Sequence, residues 1–498
     1  MPMPTDPNKK EVLVIGAGIT GLTAAYKLRN DFNVTLLEAS DRIGGKLHSV
    51  SFRDKPVDVG PDSFLTRNAS AVQLSSELDL SEHLVAPVSQ GASLYSRKQL
   101  RKLPIDLALG IPTNLISVLS SQIVSPLSAV RSAADFFWPK RLPDFTALLD
   151  SADKKPPQPT FGKYPDPSIG QLLNQRLGRA TVERLIAPLI AGINAGDINC
   201  LSFAATTPEL ARAVSKKRSV VLSLREYRKP TAVKSAGSPQ TPRPTPFLGF
   251  DTSLSTLTEA LRQNLVNAGV KIYLNTKAAD IKMTPHGKRH WAASILQKNM
   301  PTINADFDAL LLAVPSSETA NLLEASLPDI AALCNKIPFS SVATLVTAWK
   351  ADEVPPIYGT GFLVARKPKK LITGVTALSS KWAHLSHKNE VWLKISAGHY
   401  LDHRAISLGD EELTAGMIED TKTVLGMTGN PIESFLCRWE NAFPQYNTGH
   451  IERILQIDAL TAAIPSLAIA GASYHGIGIP ACISDACKAA DKLKDLLN

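Results

Sequence analysis

The sequence predicts an α/β protein that begins with a β-α-β unit. Val12–Ile15 is a short apolar run that ends in glycines, as expected for a buried parallel strand. Apolar side chains recur at helical spacing from Ile19 to Asn30, and Val34–Glu38 forms a second apolar run. Strand, helix and strand in this order are typical of a parallel sheet that is covered by helices.

The composition is that of a folded protein with a positive excess. The 498 residues include 54 Lys and Arg against 45 Asp and Glu, which gives a formal net charge of +9. Hydrophobic residues make up 44% and charged residues 20%, so disorder is not expected. At ~150 residues per domain, the length predicts two or three structural units. The excess charge fits nucleic acid, a membrane surface or an acidic small molecule as partner, and it equally fits a role in solubility alone.

Several features predict a cytoplasmic protein. The five cysteines are odd in number and contain no C-x-x-C pair, which favours a reducing compartment and argues against a cysteine-based zinc site; we predict no metal. The first ten residues lack the apolar core of a signal peptide. Leu107–Val130 is interrupted by prolines and serines, so it is not a spanning helix. Peripheral contact with the inner face of a membrane stays open.

The remaining chain alternates between helical and strand-rich regions. The pattern from Leu94 to Leu201 is mostly helical, whereas several strand-like segments lie between Asp308 and Ser396. Two stretches rich in proline and polar residues predict loops, at Pro139–Ser168 and Arg228–Pro246.

A glycine motif in the β-α-β unit predicts a dinucleotide site. Gly16-Ala17-Gly18-Ile19-Thr20-Gly21 directly follows the first strand and opens the helix. Gly16 permits the tight turn, Gly18 lets the backbone approach a pyrophosphate, and Gly21 permits close helix–strand packing. Glu38 ends the second strand, where a carboxylate can bind ribose hydroxyls. An acidic residue there fits NAD or the adenosine half of FAD.

A second glycine segment separates these two cofactors. Asp41-Arg42-Ile43-Gly44-Gly45-Lys46 follows Glu38 within a turn, and its paired glycines would admit a second backbone approach to the pyrophosphate. The two-part pattern resembles the flavin amine-oxidase superfamily and thereby favours FAD.

Five further segments carry a closer match along nearly the whole chain: Asp58–Phe64, Gly110–Thr113, Pro188–Asp197, Trp439–His450 and Ala470–Ile483. In content and order they resemble the motifs of the FAD-dependent protoporphyrinogen and coproporphyrinogen oxidases, particularly their bacterial, Gram-positive-type branch. The fold that this resemblance implies is a discontinuous Rossmann-like FAD-binding domain, an α+β substrate domain and a helical subdomain. The implied boundaries are 1–57, 247–290 and 430–498 for the first, 58–92, 200–246 and 291–429 for the second, and 93–199 for the third.

The resemblance also implies which residues bind FAD. The diphosphate and adenosine would be held by Gly16 to Gly21, Glu38, Ala39, Arg42, Gly45 and Lys46. Ala278 would lie against the adenine, Gly60, Pro61, Asp62 and Ser63 would line the flavin, and Trp439 would be a nearby aromatic. Backbone N–H groups of Ile477, Gly478 and Ile479 would face the isoalloxazine edge, where the closing helix begins.

The implied reaction is the six-electron oxidation of a porphyrinogen to a porphyrin in haem biosynthesis, with FAD as hydride acceptor and O2 reduced to H2O2. Coproporphyrinogen III is favoured and protoporphyrinogen IX is the alternative. Arg67, Arg176 and Asn194 are the candidate substrate-binding residues, although Asn194 stands where relatives commonly have Tyr. The catalytic acid or base is unknown, and His450 and His475 are candidates by position only.

Other interpretations use the same fold. A flavin amine oxidase or a carotenoid desaturase is the rival enzyme, and a Rab GDP-dissociation inhibitor is the rival binding module, against which the intact glycines and Glu38 argue. Nucleic acid is excluded as a partner because no binding motif accompanies the charge. Leu107–Trp138 could face a membrane or close the substrate chamber. The sequence does not indicate an oligomeric state.

Overall fold

The computed structural model describes residues 6–497 except 105, 109, 139–140, 155–163, 216, 228–245, 285–288, 298–299 and 367–369. Within this part the chain forms two compact units. Unit 1 comprises residues 1–86, 245–338 and 453–498, and unit 2 comprises residues 87–244 and 339–452. The sequence predicts a division of the chain into three domains by function, whereas these two units are defined by contacts within the chain. The three-domain division stays a prediction.

A five-stranded parallel sheet organises unit 1. Its strands run in the order Lys271–Tyr273, Asn33–Leu37, Glu11–Ile15, Ala309–Leu312 and Leu467–Ile469. In the strand Glu11–Ile15 the residues from Val12 to Ile15 are apolar and buried, as expected for a strand covered on both faces. The predicted α/β class, with a Rossmann-like unit at the start of the chain, is confirmed.

Helices and smaller sheets complete unit 1. The helix Ile19–Leu28 packs against the closing helix Ile479–Leu497 and against Ser255–Asn267. The further helices are Ser70–Glu77, Ser316–Leu323 and Pro328–Asn335, with a 3-10 turn at Ser81–His83. The further strands are Ser49–Phe52, Lys55–Asp58, Phe64–Leu65, Leu84–Val85, Phe247–Phe250, Thr276–Met283, Trp291–Gln297 and Ile303–Phe307.

Unit 2 contains a seven-stranded sheet. Its strands run in the order Glu433–Pro444, Phe339–Lys350, Glu390–Ala397, Ile372–Ala377, Gly361–Val364, Ser93–Ser96 and Gln99–Lys102. Neighbours are antiparallel except Gly361–Val364 and Ser93–Ser96, which are parallel. A two-stranded sheet pairs Leu107–Ala108 with Ile111–Pro112.

The helices of unit 2 contribute to three apolar clusters: one around Leu173, Ile186 and Phe203, one with Val118 and Ala129, and one with Ala405 and Met417. They are Leu115–Ser120, Pro126–Ala133, Thr146–Lys154, Ile169–Leu177, Arg179–Thr181, Ala187–Asn194, Phe203–Thr206, Pro208–Val214, Val220–Tyr227, Leu378–Lys381, Arg404–Ser407 and Asp410–Leu425, with a π-helical turn at Val182–Ile186 and 3-10 turns at Ala134–Phe137, Ala351–Glu353 and Ala383–Leu385. The helix His450–Ala462 runs from unit 2 into unit 1.

One loop prediction is wrong in part. Within Pro139–Ser168, residues Thr146–Lys154 form a helix. The Asp144 carboxylate accepts a hydrogen bond from Thr146 N at 2.9 Å, and Phe145 and Leu148 pack into the apolar core of unit 2. The prediction gave weight to the prolines and polar residues of this stretch and overlooked Asp144, a typical N-terminal capping residue. The second predicted loop, Arg228–Pro246, lies outside the described residues except for Pro246.

Of the helices formed by the described residues, none combines the length and the apolarity that crossing a bilayer requires.

Candidate cofactor site

The first glycine turn has the geometry of a dinucleotide-binding loop. Gly16 has φ +98° and donates its N–H to Leu37 O at 2.8 Å. A Cβ at Gly21 would lie 1.8 Å from Gly16 O, so only glycine fits there. At Gly18, by contrast, a Cβ would meet no atom within 4 Å. The chain therefore leaves open space beside the start of the helix, where a pyrophosphate would bind.

The second glycine segment lies directly against the first. Gly44 donates its N–H to Ala17 O at 2.8 Å, and a Cβ at Gly45 would lie 3.1 Å from Gly18 Cα. Both Gly44 and Gly45 have positive φ, at +95° and +58°. The two motifs that are separated by Glu38 in sequence thus form one glycine-lined surface, as the two-part pattern predicts.

Glu38 is fixed at the end of its strand. Its Oε2 accepts a hydrogen bond from Ala17 N at 2.8 Å, and its Oε1 accepts bonds from Ser40 N and Oγ at 2.9 and 2.8 Å. Its backbone bonds to Tyr273 O and Thr276 N, each at 2.9 Å. The strand Thr276–Met283, which carries Ala278, therefore begins beside Glu38. This arrangement suits a carboxylate that binds ribose hydroxyls next to an adenine contact.

Two cations, Arg42 and Lys46, flank the paired glycines of the second segment. Among the described residues, neither Arg42 nor Lys46 forms an ion pair, and the one hydrogen bond of the Arg42 guanidinium goes to Ile43 O at 3.3 Å. Burial lowers the pKa of Lys46, whereas the neighbouring Cys482 acts in the opposite direction. Burial raises the pKa of the Cys482 thiol to about 11, so it carries no compensating charge at neutral pH. A desolvated ammonium with no counter-charge suits a phosphate or another anion.

Replacing Lys46 with methionine is expected to weaken FAD binding about tenfold, because a hydrogen bond to a charged group contributes about 1.5 kcal/mol and 1.4 kcal/mol is a factor of ten. Fluorescence titration of the apoprotein with FAD measures the effect. Lys27→Met is the matched control, since Lys27 lies in the same unit but pairs with Glu77 at 2.7 Å. Equal FAD affinity in the two variants would contradict a role of Lys46 in the site.

The predicted flavin-lining segment follows a clamped strand end. Asp58 closes the strand Lys55–Asp58, and its carboxylate accepts hydrogen bonds from Ser49 Oγ at 2.7 Å and from Leu254 N at 3.1 Å. The next residues, Gly60, Pro61, Asp62 and Ser63, are all half-buried. Asp58 thus holds the start of this segment against the helix Ser255–Asn267.

The C-terminal segment returns to the first glycine turn. Between the strand Leu467–Ile469 and the helix Ile479–Leu497, a Cβ at Gly471 would lie 3.7 Å from Thr20 Oγ1. Gly471 N donates to Asp485 Oδ2 at 2.8 Å, and His475 lies between two carboxylates, 2.8 Å from Asp485 Oδ1 and 3.2 Å from Asp458 Oδ2. This segment carries Ile477, Gly478 and Ile479 at the helix N-terminus, which is the favourable end of the helix dipole for negative charge.

The ionisation of His475 predicts a pH dependence of stability. Burial alone would lower its pKa, but hydrogen bonds and charges from Asp458 and Asp485 outweigh burial and raise the pKa to about 10. Because this value lies above the unfolded pKa of ~6.5, the stabilisation is complete below the unfolded value and is lost as pH rises through the folded one. The difference in Tm between wild type and His475→Gln is therefore expected to close at alkaline pH. A difference independent of pH would contradict this.

The remaining predicted residues lie at several places. Arg67 is exposed in unit 1. In unit 2, Trp439 donates from Nε1 to Thr344 Oγ1 at 3.3 Å, and the Asn194 side chain donates to Ile190 O at 3.2 Å. His450 is buried and stacks on Tyr446 with ring centroids 3.8 Å apart. Their roles toward flavin or substrate stay predictions.

Arg176 has structural contacts that the sequence did not suggest. Its side chain is buried, its Nη1 donates to Arg218 O at 3.0 Å, and it lies 4.0 Å from Asp135 Oδ1. Asp135 in turn accepts bonds from Ser219 Oγ and Val221 N at the start of the helix Val220–Tyr227. These contacts account for a buried arginine without a substrate, so its predicted role in substrate binding has a structural alternative.

Sequence analysis missed the residues that fix the site. Asp485 lies on the second turn of the closing helix, three residues after Cys482, and an acidic residue on that otherwise apolar face was the one available signal. Asp58 was noted only as part of a motif. In unit 2, the pair Arg366–Asp197, with Nη1 to Oδ2 at 2.8 Å, joins residues far apart in sequence and had no local signal.

A parallel sheet, two joined glycine segments, a strand-terminal glutamate and two cations that form no ion pair with the described residues define the class of protein: a flavin-dependent oxidoreductase. The residues present fit FAD, because the space beside Gly18 and the desolvated ammonium of Lys46 match a pyrophosphate. The chain belongs to the flavin containing amine oxidoreductase family, whose model matches residues 19–494. The predictions of FAD as cofactor and of an oxidoreductase are thereby confirmed.

Individual relatives match over nearly the full length. The coproporphyrinogen III oxidase of Bacillus subtilis strain 168 is 33% identical over 97% of this chain and 97% of its own length. The coproporphyrinogen III oxidase of Staphylococcus aureus is 28% identical over 97% and 99%, and the mitochondrial protoporphyrinogen oxidase of Nicotiana tabacum is 26% identical over 97% and 94%. The predicted family resemblance is confirmed.

Solved structures share the fold. A protein from Exiguobacterium sp. 255-15, provisionally assigned as a protoporphyrinogen oxidase, is similar with a TM-score of 0.80 and 27% identity, over 99% of this chain and 100% of that one. A putrescine oxidase gives a TM-score of 0.65 at 15% identity, over 98% and 99% of the two chains, which shows a shared fold alone.

Proposed function

We propose that this chain catalyses the oxygen-dependent, six-electron oxidation of coproporphyrinogen III to coproporphyrin III in haem biosynthesis, with H2O2 as by-product. The observation that carries this proposal is the full-length similarity to the coproporphyrinogen III oxidase of Bacillus subtilis, at 33% identity. Protoporphyrinogen IX is the second candidate substrate, and the similarity to the Nicotiana tabacum enzyme favours it. The rival reactions are amine oxidation and carotenoid desaturation; a putrescine oxidase shares the fold with this chain, a likeness that does not extend to its reaction.

Different residues of the site bind or orient different parts of the cofactor. Bound FAD supplies the hydride acceptor for each two-electron step. Glu38 fixes the ribose, the amides of the first glycine turn and the Lys46 ammonium hold the pyrophosphate, and the N–H groups at the start of the closing helix orient the flavin edge. Each of these groups binds or orients, and we assign no proton transfer to any of them.

An anionic substrate agrees with the charge of the chain. Coproporphyrinogen III carries four propionates and protoporphyrinogen IX carries two, and guanidinium groups grip carboxylates bidentately. The net charge of +9 provides cations for this role, with Arg67 the predicted one of unit 1. Arg366 is not a free cation, because it pairs with Asp197 at 2.8 Å. A substrate site with several cations would favour coproporphyrinogen III, because it carries the larger number of propionates.

Aerobic turnover of the two porphyrinogens tests the proposal. Porphyrin fluorescence and oxygen consumption are followed for the holoenzyme with coproporphyrinogen III and with protoporphyrinogen IX, against a heat-inactivated sample that reports spontaneous oxidation. We expect a higher kcat/KM for coproporphyrinogen III. A higher value for protoporphyrinogen IX would reverse the substrate ranking, and turnover of an amine or a carotenoid in place of both would refute the proposed reaction.

Peripheral membrane contact is the second part of the proposal. Five large apolar side chains on neighbouring helices of unit 2 are exposed, and we call them the apolar patch: Ile116 at 77%, Leu119 at 45%, Leu127 at 83%, Val130 at 70% and Phe137 at 86%. Ile116 and Leu119 are three residues apart on one helix, and Leu127 and Val130 are three apart on the next, so each pair lies on one face of its helix; Phe137 follows in the 3-10 turn. Such a face suits the headgroup–acyl boundary of a bilayer, and its exposure favours this over closure of the substrate chamber.

Replacing Leu127 and Phe137 together with serine is expected to reduce binding to vesicles of phosphatidylcholine and phosphatidylglycerol at least about tenfold, because burying one large apolar side chain contributes about 1.5 kcal/mol or more. Vesicle co-sedimentation measures the binding. Leu401→Ser, which removes an apolar side chain exposed at 62% elsewhere in unit 2, is the control. Wild-type protein that stays in the supernatant would refute membrane contact.

A further inference from the structure

We propose that His475, acting with Asp485 and Asp458, is a positioning residue that fixes the turn between the strand Leu467–Ile469 and the helix Ile479–Leu497 at the flavin edge. This inference deepens the proposed function at one site. It rests on FAD as the cofactor and on the predicted contact of residues 477–479 with the flavin, and it is independent of which porphyrinogen is oxidised.

Asp485 ties both ends of the turn to the helix. Its side chain is buried, with 6% exposed, and both carboxylate oxygens are used. Oδ2 accepts from Gly471 N at 2.8 Å, at the start of the turn, and Oδ1 accepts from His475 Nδ1 at 2.8 Å, just before the helix. One carboxylate therefore sets the positions of two points on the turn, and the predicted flavin contacts follow directly after the second.

Asp458 holds the other face of the imidazole. His475 Nε2 lies 3.2 Å from Asp458 Oδ2, on the helix His450–Ala462. Because each ring nitrogen faces a carboxylate, both must donate, and the ring is an imidazolium. Desolvation by the surrounding protein lowers the His475 pKa even though the side chain is partly exposed, but the two carboxylates outweigh this effect and raise the pKa to about 10. The ring thus bridges the closing helix to a second helix of unit 1 and carries a positive charge.

The turn has an inner anchor that does not depend on His475. The preceding residue, Tyr474, is buried, and its hydroxyl donates to Thr319 Oγ1 at 2.9 Å. His475 itself is 39% exposed and lies at the rim. Its replacement is therefore expected to loosen the rim of the turn and remove one positive charge without unfolding the unit.

Two consequences for the flavin act in the same direction. Reduced flavin carries negative charge near the edge that the helix N-terminus faces, so well-aimed N–H groups stabilise the reduced form. Loss of the imidazolium leaves Asp458 and Asp485 uncompensated and lets the turn move. Both changes disfavour negative charge on the flavin, so the reduced cofactor is expected to bind less tightly relative to the oxidised one.

The test compares His475→Gln, which loses the charge, with His475→Arg, which keeps it. In holoenzyme samples, His475→Gln is expected to bind reduced FAD about tenfold more weakly relative to oxidised FAD, a midpoint potential lower by about 30 mV for a two-electron couple. The affinity for sulfite, which adds to the oxidised flavin and also places negative charge on it, should fall about tenfold. His475→Arg should stay within about threefold of wild type, since arginine can bridge two carboxylates.

His83→Gln is the matched control, because His83 also faces an aspartate in unit 1, Asp251 at 3.0 Å, but at an exposed site. Unchanged potential and sulfite affinity in His475→Gln would overturn the inference, and so would an equal loss in the Arg variant. Should His475→Gln fail to fold, Asp458→Asn is the second variant, because it removes only the carboxylate that faces His475 Nε2. An FAD dissociation constant equal to that of wild type in this variant would then overturn the inference. None of these readouts uses a porphyrinogen, so their failure is distinct from failure of the proposed function.

Discussion

Replacing Gly18 with leucine is expected to abolish FAD binding and to leave the apoprotein folded. Gly18 has φ −71°, which any residue adopts, and a Cβ there would meet no atom within 4 Å. The Cβ of the new side chain therefore causes no clash in the apoprotein. The side chain occupies the space beside the first helical turn where the pyrophosphate must approach the backbone. We expect affinity for FAD to fall at least about 100-fold, or about 2.7 kcal/mol.

Equilibrium titration of the apoprotein with FAD, together with circular dichroism, measures both halves of this prediction. Gly409→Leu is the control, because Gly409 has φ −61°, also precedes a helix and also has open space at its Cβ, but lies in unit 2. It should bind FAD as wild type does. A Gly18→Leu variant that retains wild-type affinity would show that the pyrophosphate does not lie at this turn.

Replacing Gly21 with alanine is expected to destabilise unit 1 strongly even without cofactor. The alanine Cβ would lie 1.8 Å from Gly16 O and 3.0 Å from its carbonyl carbon, so the helix must move away from the strand–helix turn. The displaced atom is backbone and cannot rotate away. Overpacking of this kind costs about 3 kcal/mol, the upper end of the usual range.

Urea unfolding of the apoprotein, followed by fluorescence, measures this loss. Gly416→Ala is a matched control within a helix, because a Cβ there would meet only the end of the Leu371 side chain, at 2.9 Å, which can turn aside. Its unfolding midpoint should stay near that of wild type or rise, since alanine favours the helix by about 1 kcal/mol. Equal midpoints for Gly21→Ala and wild type would contradict the close packing of the glycine turn.

The start of the cofactor site could be predicted because its determinants are local. The run from Gly16 to Gly21 fixes a turn whose requirements are read from residue size and spacing, and Glu38 ends the next strand at a regular offset. Ala278, by contrast, was predicted as an adenine contact from the family resemblance alone. The fold shows why the strand that carries Ala278 begins beside Glu38: Thr276 N donates to Glu38 O just beyond the pairing of Lys271–Tyr273 with Asn33–Leu37, two strands more than 200 positions apart.

The residues that hold the site in place could not be predicted. His475 was a candidate by position, but its structural role depends on contacts with Asp485 and Asp458. These two residues lie on different helices and come near His475 only in the folded unit. Arg176 illustrates the opposite case. A cation in a helical region suggested substrate binding, whereas the buried Asp135 beside it reveals a structural contact that no local pattern encodes. A buried charged side chain needs an ion-pair or hydrogen-bond partner, and the tertiary structure determines which residue that is.

Anaerobic mixing of the oxidised holoenzyme with coproporphyrinogen III tests the central claim most directly, because it isolates electron transfer from porphyrinogen to flavin. We predict rapid loss of the flavin's visible absorbance, slower loss with protoporphyrinogen IX, and recovery with formation of H2O2 when oxygen is admitted. Flavin absorbance that stays unchanged with both porphyrinogens would contradict the proposed oxidation.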